Sequence, residues 1–442
     1  MDPVATPSTG TSDLLLDLLA HPGAGGKLFP FLHNGMADFV PGTSSVFYSG
    51  PYWGSEEVHA AVGALLYGQW LSAGEAVRKF EFEFARKLGQ KHALMVNSGS
   101  SANLVMLAAS KRHFGWADGD EVIASVVGFP TTTAPVLQAN LKCVFVDIEM
   151  DTLNFDLDQV EAAITNRTRA VLVSPVLGNP PDFDRLHEIC RRHGLELLLD
   201  DCDSLGSKWD GKLLNQYAFA SSNSFYSSHH ISTGEGGMVV SDDSSFMKIA
   251  RSMAWWGRDC TCVGKANLLS CGSCGNRFDT WLPGHDEVID HRYLFTEIGY
   301  NLKPLDLQGA IGSVQMTRFD EIHQRRRQSY ARISRSLRER LDVAVPDGLP
   351  KAEVSWFGVP LVCHSKAQKQ ALVKHFEEAK IQTRNYFAGN LLQQPGYRHL
   401  GDYKAFPKAN QVLDRVFFIG AAPHYTEAVF QYIEATAASF GG

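Results

Sequence analysis

The sequence predicts an α/β fold built on a mostly parallel sheet with helices on its faces. Compact apolar runs, which suit strands covered on both sides, occupy residues 121–124, 143–146, 170–173 and 197–199. Amphipathic segments with helical spacing separate them, and residues 182–193 are the clearest example. This alternation of strands and helices is typical of a parallel sheet.

The last quarter of the chain follows a different order. A helical pattern, a strand-like run at 355–362, a helix at 366–379 and a final helix near 425–440 predict a smaller α+β domain. We therefore expect an N-terminal arm (1–60), a large cofactor-binding domain (61–325) with an inserted cysteine-rich loop (258–295), and a small C-terminal domain (326–442).

Composition excludes several classes of protein. The 442 residues are 44% apolar and 20% charged, which is typical of a globular chain, and the formal net charge of −7 with no run of basic residues argues against nucleic-acid binding. The first residues lack the basic region and apolar core of a signal peptide, and no apolar run is long enough to cross a bilayer. We expect a cytoplasmic protein whose eight cysteines are reduced thiols or metal ligands.

Two segments have the composition of ligand-binding loops. Residues 97–102, N-S-G-S-S-A, follow an apolar run and open a helix, where main-chain N–H groups and the helix dipole favour a phosphate. Residues 198–203, L-L-D-D-C-D, end a buried strand with carboxylates at the edge where parallel sheets bind ligands. Serine-rich helix caps and strand-end aspartates are also common structural features, so neither segment is decisive alone.

A third segment, residues 224–237, reads S-F-Y-S-S-H-H-I-S-T-G-E-G-G. It resembles the cofactor-lysine segment of the DegT/DnrJ/EryC1/StrS family of sugar aminotransferases, in which S-F-x-x-x-K-x-x-x-x-G-E-G-G carries the lysine that bonds to pyridoxal phosphate (PLP). His229 stands at the lysine position, and no lysine lies between Lys212 and Lys248. An imidazole has no primary amine, but its ordinary pKa of about 6.5 suits proton transfer. The alternative is that His229 and His230 are only polar loop residues.

The resemblance implies an aminotransferase fold of type I, with a seven-stranded sheet in the large domain and PLP or pyridoxamine phosphate (PMP) held without a covalent bond. Asp200 matches the aspartate that pairs with the pyridine nitrogen, and Phe129 the aromatic that stacks on the ring, although by composition Phe129 suits a core equally well. Asn301, in G-Y-N, matches the residue that reaches the neighbouring subunit's phosphate, which implies a homodimer. The implied cofactor-binding residues are Ser98, Gly99, Ser100, Phe129, Asp200, Ser224 and Asn301.

A cluster of cysteines points to a metal. Cys260, Cys262, Cys271 and Cys274 fall within fifteen residues, and such density outside an oxidising compartment suits either a four-cysteine zinc site or a [2Fe–2S] cluster. Together with Cys202 and His229, they resemble the CDP-4-keto-6-deoxyglucose 3-dehydrases within the family, which hold a [2Fe–2S] cluster. The ligands carried over are Cys202, Cys260, Cys262 and Cys274. The spacing from Cys262 to Cys274 is longer than in that subgroup, so Cys271 is an alternative fourth ligand.

The implied reaction is the PMP-dependent removal of the C3 hydroxyl from a nucleotide-linked 4-keto-6-deoxyhexose, with CDP as the expected nucleotide. His229 acts as the base, Asp203 and Tyr226 assist it, and Arg384 is the candidate for the substrate diphosphate because guanidinium binds phosphate in a bidentate manner. A flavin and iron–sulfur reductase that uses NADH supplies the electrons. The alternatives are a 3-dehydrase or dehydratase acting on a GDP- or dTDP-sugar, and a catalytically silent protein with structural zinc.

Overall fold

A seven-stranded sheet forms the centre of the molecule. The computed structural model describes residues 39–68, 70–260 and 280–441. The strands are β1 (His92–Val96), β2 (Glu121–Ser125), β3 (Lys142–Val146), β4 (Thr168–Val173), β5 (Glu196–Asp200), β6 (Lys208–Trp209), β7 (Lys212–Leu213), β8 (Ala220–Ser224), β9 (Gly237–Ser241), β10 (Thr280–Trp281), β11 (Val288–Ile289), β12 (Ala352–Glu353), β13 (Gly358–Val362), β14 (Thr383–Asn385) and β15 (Val416–Gly420).

The central sheet has the order β1-β9-β8-β5-β4-β2-β3. All its strands run in one direction except β9, which pairs antiparallel with both β8 and β1. Because the carboxyl ends of the other six strands meet at one edge, the loops that follow them share that edge. The predicted α/β class and seven-stranded sheet are confirmed.

The α-helices between and after the strands supply the covering layers. They are α1 (Ser55–Tyr67), α2 (Glu75–Leu88), α3 (Gly99–Phe114), α4 (Pro130–Gln138), α5 (Leu157–Ala162), α6 (Phe183–His193), α7 (Ser244–Ala254), α8 (Asp306–Thr317), α9 (Phe319–Arg340), α10 (Lys366–Glu378), α11 (Ala409–Arg415) and α12 (Glu427–Ala438). Helix α6 shows why the sequence was informative: Asp182 caps its first turn, Gly194 ends it with a left-handed φ of 62°, and its apolar residues are buried.

A second sheet lies near the C-terminus. Its three antiparallel strands have the order β13-β15-β14, and helices α9, α10, α11 and α12 pack on it. The segment 39–48 joins the same layer, since Val46 pairs with Ile381 and Phe39 is buried in the core of this sheet. The boundaries near residues 60 and 325 stay predictions. Residues 1–38 of the predicted N-terminal arm and the thiols of Cys262, Cys271 and Cys274 lie outside the described residues.

Candidate active site

A cavity of about 600 Å³ opens at the carboxyl edge of the central sheet. It collects loops that are far apart in the sequence, because each follows a parallel strand and therefore emerges at the same edge. Ten residues singled out from the sequence line it: Gly99, Ser100, Phe129, Asp200, Cys202, Asp203, Ser224, Tyr226, His229 and Arg384.

The carboxylate of Asp200 is held from two sides at the end of β5. Its Oδ2 accepts hydrogen bonds from Asn103 Nδ2 (2.9 Å) and Thr132 Oγ1 (2.7 Å), and its Oδ1 accepts one from the main-chain N–H of Cys202 (3.2 Å). The side chain is only 4% exposed. Ser222, on the neighbouring strand β8, donates to the side-chain oxygen Oδ1 of Asn103 and so fixes the side-chain amide that binds Asp200. A buried, oriented carboxylate of this kind is suited to pair with a protonated ring nitrogen.

The N-terminus of α3 approaches the end of β8 very closely at Gly99. A Cβ atom at this position would lie 2.4 Å from Ser224 Cβ and 3.0 Å from Cys202 Sγ, so only glycine fits. Ser98 caps the helix by accepting from the N–H of Ser101 at 3.1 Å. The helix end thus turns its free N–H groups and its positive dipole toward the cavity edge, as a phosphate site requires.

Two phenylalanines form an aromatic wall of the cavity. Phe129 immediately precedes α4 and is 52% exposed, and its ring centroid lies 6.0 Å from that of Phe387 with the planes at 81°. An apolar ring of this size that remains half exposed at a cavity is unusual for a core residue. The alternative prediction of Phe129 as a core residue is therefore not favoured by its position.

His229 lies in the loop between β8 and β9. Its main-chain N–H donates to the Tyr226 carbonyl at 2.9 Å, which forms a tight turn that directs the imidazole to the cavity. Ring atom Nδ1 lies 3.6 Å from Asp203 Oδ1, and it has no hydrogen-bond partner among the described residues. None of the described residues that line the cavity is a lysine. The position that would need an amine for a covalent cofactor bond holds an imidazole instead.

The environment keeps the imidazole of His229 neutral near pH 7 and leaves the Asp203 carboxyl group only partly ionised there. Burial, and then the positive charge of Arg326, lower the pKa of His229 to about 4, while a main-chain hydrogen bond with Cys202 acts in the opposite direction. Burial, and then the negative charge of Asp200, raise the pKa of Asp203 to about 7. The 3.6 Å contact is therefore a polar contact rather than an ion pair, and the neutral imidazole retains a lone pair for proton transfer.

The mouth of the cavity carries a cation and a phenol. The Arg384 guanidinium lies over the Tyr48 ring, 4.2 Å from its centroid, donates to the Thr383 carbonyl at 2.7 Å and lines the cavity. Tyr226 is 48% exposed and its ring lies 6.4 Å from the imidazole of His229. Both side chains are within the cavity lining, as predicted from the sequence.

Three predicted site residues do not line the cavity. Ser98 caps α3, Cys260 is buried beyond α7, and Asn301 is exposed, with its Oδ1 accepting from Lys303 Nζ at 2.9 Å. Asn301 is nevertheless close to the helix end, because the next residue, Leu302, accepts from the N–H of Asn97. Within the residues that the structure describes, no group of three or more His, Cys, Asp or Glu side chains is placed to hold a metal.

Sequence reasoning missed the residues that support the predicted ones. Asn103 and Thr132 hold Asp200, and Tyr48 stacks on Arg384. Asn103 lies four residues after Gly99, on the same face of α3, so helical spacing could have identified it. Thr132 and Tyr48 come from distant segments, and no local pattern in the sequence marks them.

Comparison with known proteins places the chain in a family. The model of the DegT/DnrJ/EryC1/StrS aminotransferase family matches residues 53–437. The chain belongs to this family. Its cavity lies at the carboxyl edge of the type I aminotransferase sheet, and none of the described residues that line it is a lysine.

Two relatives within the family are enzymes of 3-dehydration by name. The dTDP-4-dehydro-2,6-dideoxy-D-glucose 3-dehydratase of Saccharopolyspora spinosa is 36% identical over 411 residues, which cover 91% of this chain and 88% of the relative. The GDP-4-keto-6-deoxy-D-mannose 3-dehydratase of Yersinia pseudotuberculosis is 33% identical, covering 79% and 86%. The lipopolysaccharide biosynthesis protein RfbH of Salmonella typhimurium is 35% identical, covering 91% and 93%.

A solved structure in the family has the same fold. A crystal structure of a variant of GDP-4-keto-6-deoxymannose 3-dehydratase with bound GDP-perosamine superposes with a TM-score of 0.78 at 28% identity, covering 89% of this chain and 100% of that one.

None of the helices in the described part of this chain is long and apolar enough to span a bilayer.

Proposed function

We propose that this protein removes the C3 hydroxyl of a nucleotide-linked 4-keto-6-deoxyhexose, using PMP that is bound without a covalent bond. The observation that carries the proposal is the composition of the cavity. It contains the fixed carboxylate of Asp200, the helix N-terminus at Gly99, where no side chain fits, and the neutral imidazole of His229 at the position of the family lysine. Relatives that are 33% and 36% identical and are named as nucleotide-sugar 3-dehydratases support the same reaction.

The cavity has the donor set that PMP needs. Asp200 offers a buried acceptor for the pyridine N–H, Phe129 an exposed ring face, and Ser224 a hydroxyl beside the phosphate site. The close approach at Gly99 leaves the helix end bare of side chain, which lets a phosphate approach the main-chain N–H groups. When bound, the cofactor supplies an amine for the C4 ketone and an electron-accepting ring that stabilises negative charge on the adjacent carbon.

His229 moves the proton in this scheme. Its neutral imidazole takes a proton from the C4′ methylene carbon of the bound cofactor, and the resulting cation is well placed to return a proton toward the departing C3 oxygen. Asp203 orients the ring from the Nδ1 side, and Tyr226, at the cavity mouth, offers a phenolic hydroxyl to the leaving oxygen. Because no lysine is among the described residues that line the cavity, release of an amino sugar by ordinary transamination is disfavoured.

Arg384 gives the substrate its orientation. A guanidinium held flat against Tyr48 at the cavity mouth suits the diphosphate of a nucleotide sugar, whose charge lies outside the reacting hexose. The sequence favours CDP as the nucleotide, and the names of the relatives keep dTDP and GDP as alternatives. Incubating the PMP-loaded enzyme with each of the three nucleotide 4-keto-6-deoxyhexoses, and following loss of the C3 hydroxyl by mass spectrometry, tests both the reaction and the nucleotide. No water loss with any of them would reject the proposal.

We further propose that a [2Fe–2S] cluster and an NADH-dependent reductase supply the electrons for this reaction. Of the predicted ligands, Cys202 lines the cavity and Cys260 is buried elsewhere, while Cys262 and Cys274 lie outside the described residues. The described part of the chain therefore does not complete the thiolate set, and no step above depends on it. Anaerobically purified protein should be brown and contain about two iron atoms per chain. Colourless protein with stoichiometric zinc would support the structural-metal alternative instead.

A second candidate function dispenses with outside electrons. In a dehydratase of that kind the two electrons would come from the cofactor itself, which would be converted from PMP to PLP with release of its amine as ammonia, as the enzyme name of the GDP-sugar relative allows. The two candidates separate in one assay, because only the first needs NADH and a reductase to form a 3-deoxy product. Product formation with PMP alone, in the presence of a chelator, would favour the second.

A homodimer completes the proposal. Asn301 and its neighbours Ile298 and Tyr300 are exposed, Ile298 to 95%, beside the phosphate loop of the same chain. A surface of this kind suits burial against a second subunit, where Asn301 reaches the partner's phosphate site. Mixing an Asn301→Ala variant with a His229→Asn variant should restore activity, because half of the sites in mixed dimers then lack both changes. Sedimentation measurements should give twice the chain mass.

We expect the protein in the cytoplasm.

A further inference from the structure

A buried arginine lies directly behind the loop that carries His229. Arg326 belongs to the apolar face of α9, in line with the buried side chains of Ile322, Tyr330 and Ile333. Its own side chain is 0% exposed. Among the described residues no carboxylate lies within ion-pair distance of the guanidinium, and its Nε has no hydrogen-bond partner. A fully buried cation without a bonded counter-ion is costly, so stability alone would favour an apolar side chain here.

The atoms that Arg326 does contact belong to segments that line the cavity. Its Nη2 lies 3.3 Å from the His229 carbonyl oxygen and 3.5 Å from Ser49 Oγ, and its Nη1 lies 3.4 Å from the Phe357 carbonyl oxygen. These contacts are long for hydrogen bonds, but the donor is a full charge in a water-free setting. Asp203, which lies beside His229, is a carboxylate whose charge acts on this guanidinium.

Ser49 binds the same turn at the preceding residue, Ser228. Its hydroxyl donates to the carbonyl of Ser228, and it receives the Arg326 guanidinium. Two consecutive carbonyls, those of Ser228 and His229, are therefore bound from outside the loop. Together with the N–H of His229, which donates to Tyr226, this fixes both peptide planes on either side of the imidazole.

We propose that Ser49 and Arg326 form a clamp on the two peptide groups that carry His229, and that both act as positioning residues for the proton transfer. The proposal deepens the proposed function and rests on it for the reaction concerned. If the peptide groups on either side of His229 could rotate, the imidazole would move by about an ångström or more. A displacement of that size at a reacting group lowers the reaction rate far more than it lowers the affinity for the substrate. Neither Ser49 nor Arg326 is one of the predicted cofactor-binding residues, so substituting them should leave the affinity for the cofactor unchanged.

The test uses the full-length, PMP-loaded enzyme and three substitutions. We expect Arg326→Gln to lower kcat about 100-fold and Ser49→Ala about 10-fold, with KM and the PMP dissociation constant changed by less than about twofold. Arg326→Lys keeps the charge and should recover about tenfold of the loss. The matched control is Ser329→Ala. Ser329 is a buried serine of α9 that does not line the cavity, and its hydroxyl donates to the Ala422 carbonyl over 2.9 Å. The substitution should leave kcat unchanged.

A second readout needs neither substrate nor cofactor. Diethylpyrocarbonate modifies histidine side chains, and mass spectrometry of the apoprotein resolves the rate at His229. We expect faster modification of His229 in Ser49→Ala and Arg326→Gln than in the wild type and in Ser329→Ala. Unchanged kcat and unchanged modification in Ser49→Ala would overturn the clamp, even if Arg326→Gln fails to fold. A wild-type enzyme that dehydrates no nucleotide sugar would reject the proposed function instead, while the modification rates would still decide the clamp.

Discussion

His229 Nδ1 lies 3.6 Å from Asp203 Oδ1, and because the imidazole is neutral the two groups do not form an ion pair. The arrangement resolves a conflict that the sequence alone leaves open, because a carboxylate beside an imidazole would ordinarily raise its pKa and charge it. Here the burial of both groups outweighs their attraction. The imidazole is thereby kept in the form that accepts a proton.

Asp203→Asn tests whether Asp203 orients His229. We expect kcat to fall about tenfold with little change in KM, because an amide cannot ionise and therefore cannot balance the charge of the imidazole after it takes up a proton. Asp201→Asn is a close control, since Asp201 is also buried but accepts from Ser204 instead. Steady-state kinetics of the two variants decide the matter. Equal losses in both would mean that any change among these buried carboxyls is harmful, and Asp203 would have no special role.

His229→Lys restores the residue that other family members use. The introduced amine should form a covalent bond to PLP that borohydride makes permanent, and peptide mapping should locate the label at position 229. Dehydration should be lost, because a tethered lysine in place of the imidazole changes the proton donor and competes with the substrate. His229→Gln, which has neither amine nor base, should lose dehydration without acquiring the label. A covalent label on wild-type protein would contradict the assignment of His229.

Phe129→Ala tests the stacking role of the exposed ring. We expect the affinity for PMP to fall about five- to tenfold, which corresponds to the loss of one aromatic contact. The melting temperature should change little, because the ring is 52% exposed. Phe82→Ala removes another exposed ring, 67% accessible and remote from the cavity, and should leave PMP binding as it is. Fluorescence titration of the apoprotein gives both affinities.

His424→Gln tests the electrostatic effect of the buried cation behind the site. Burial, and then the charge of Arg326, lower the pKa of His424 to about 3. The unfolded chain takes up a proton here below about pH 6.5 and the folded chain does not, so this residue's contribution is intact above that pH and is lost as pH falls toward 3. The wild-type free energy of unfolding should therefore decline relative to the variant by about 1.4 kcal/mol per pH unit in that range.

Urea unfolding at several pH values between 7 and 4 measures that difference. Comparing the two proteins cancels the other buried groups, including Asp203, whose raised pKa has the opposite pH dependence. A constant difference across the range would mean that His424 titrates normally in the folded state.

The fold and the cavity residues were largely predictable because their signals are local. Strand-length apolar runs gave the sheet, and its parallel order brings Gly99, Asp200 and Ser224 to one edge without further information. Asn301 is the instructive exception: its motif is clear, yet it is exposed outside the cavity lining, and its contact with a second subunit stays a prediction. Ser49 and Arg326 were not predictable, because each lies in an unremarkable local pattern and gains its contacts only from packing between distant segments.

The antiparallel strand β9 gives the His229 loop an unusual independence. Ser224 and Gly237, which bound the loop, are paired neighbours on β8 and β9, so its two ends are anchored at a fixed separation whatever lies between them. An exchange of residues 225–236 for the same loop of another family member should therefore keep the register of the sheet. A chimaera of this kind also has to retain the partners outside the loop, Ser49 and Arg326 among them, because the fixed ends alone do not orient residue 229.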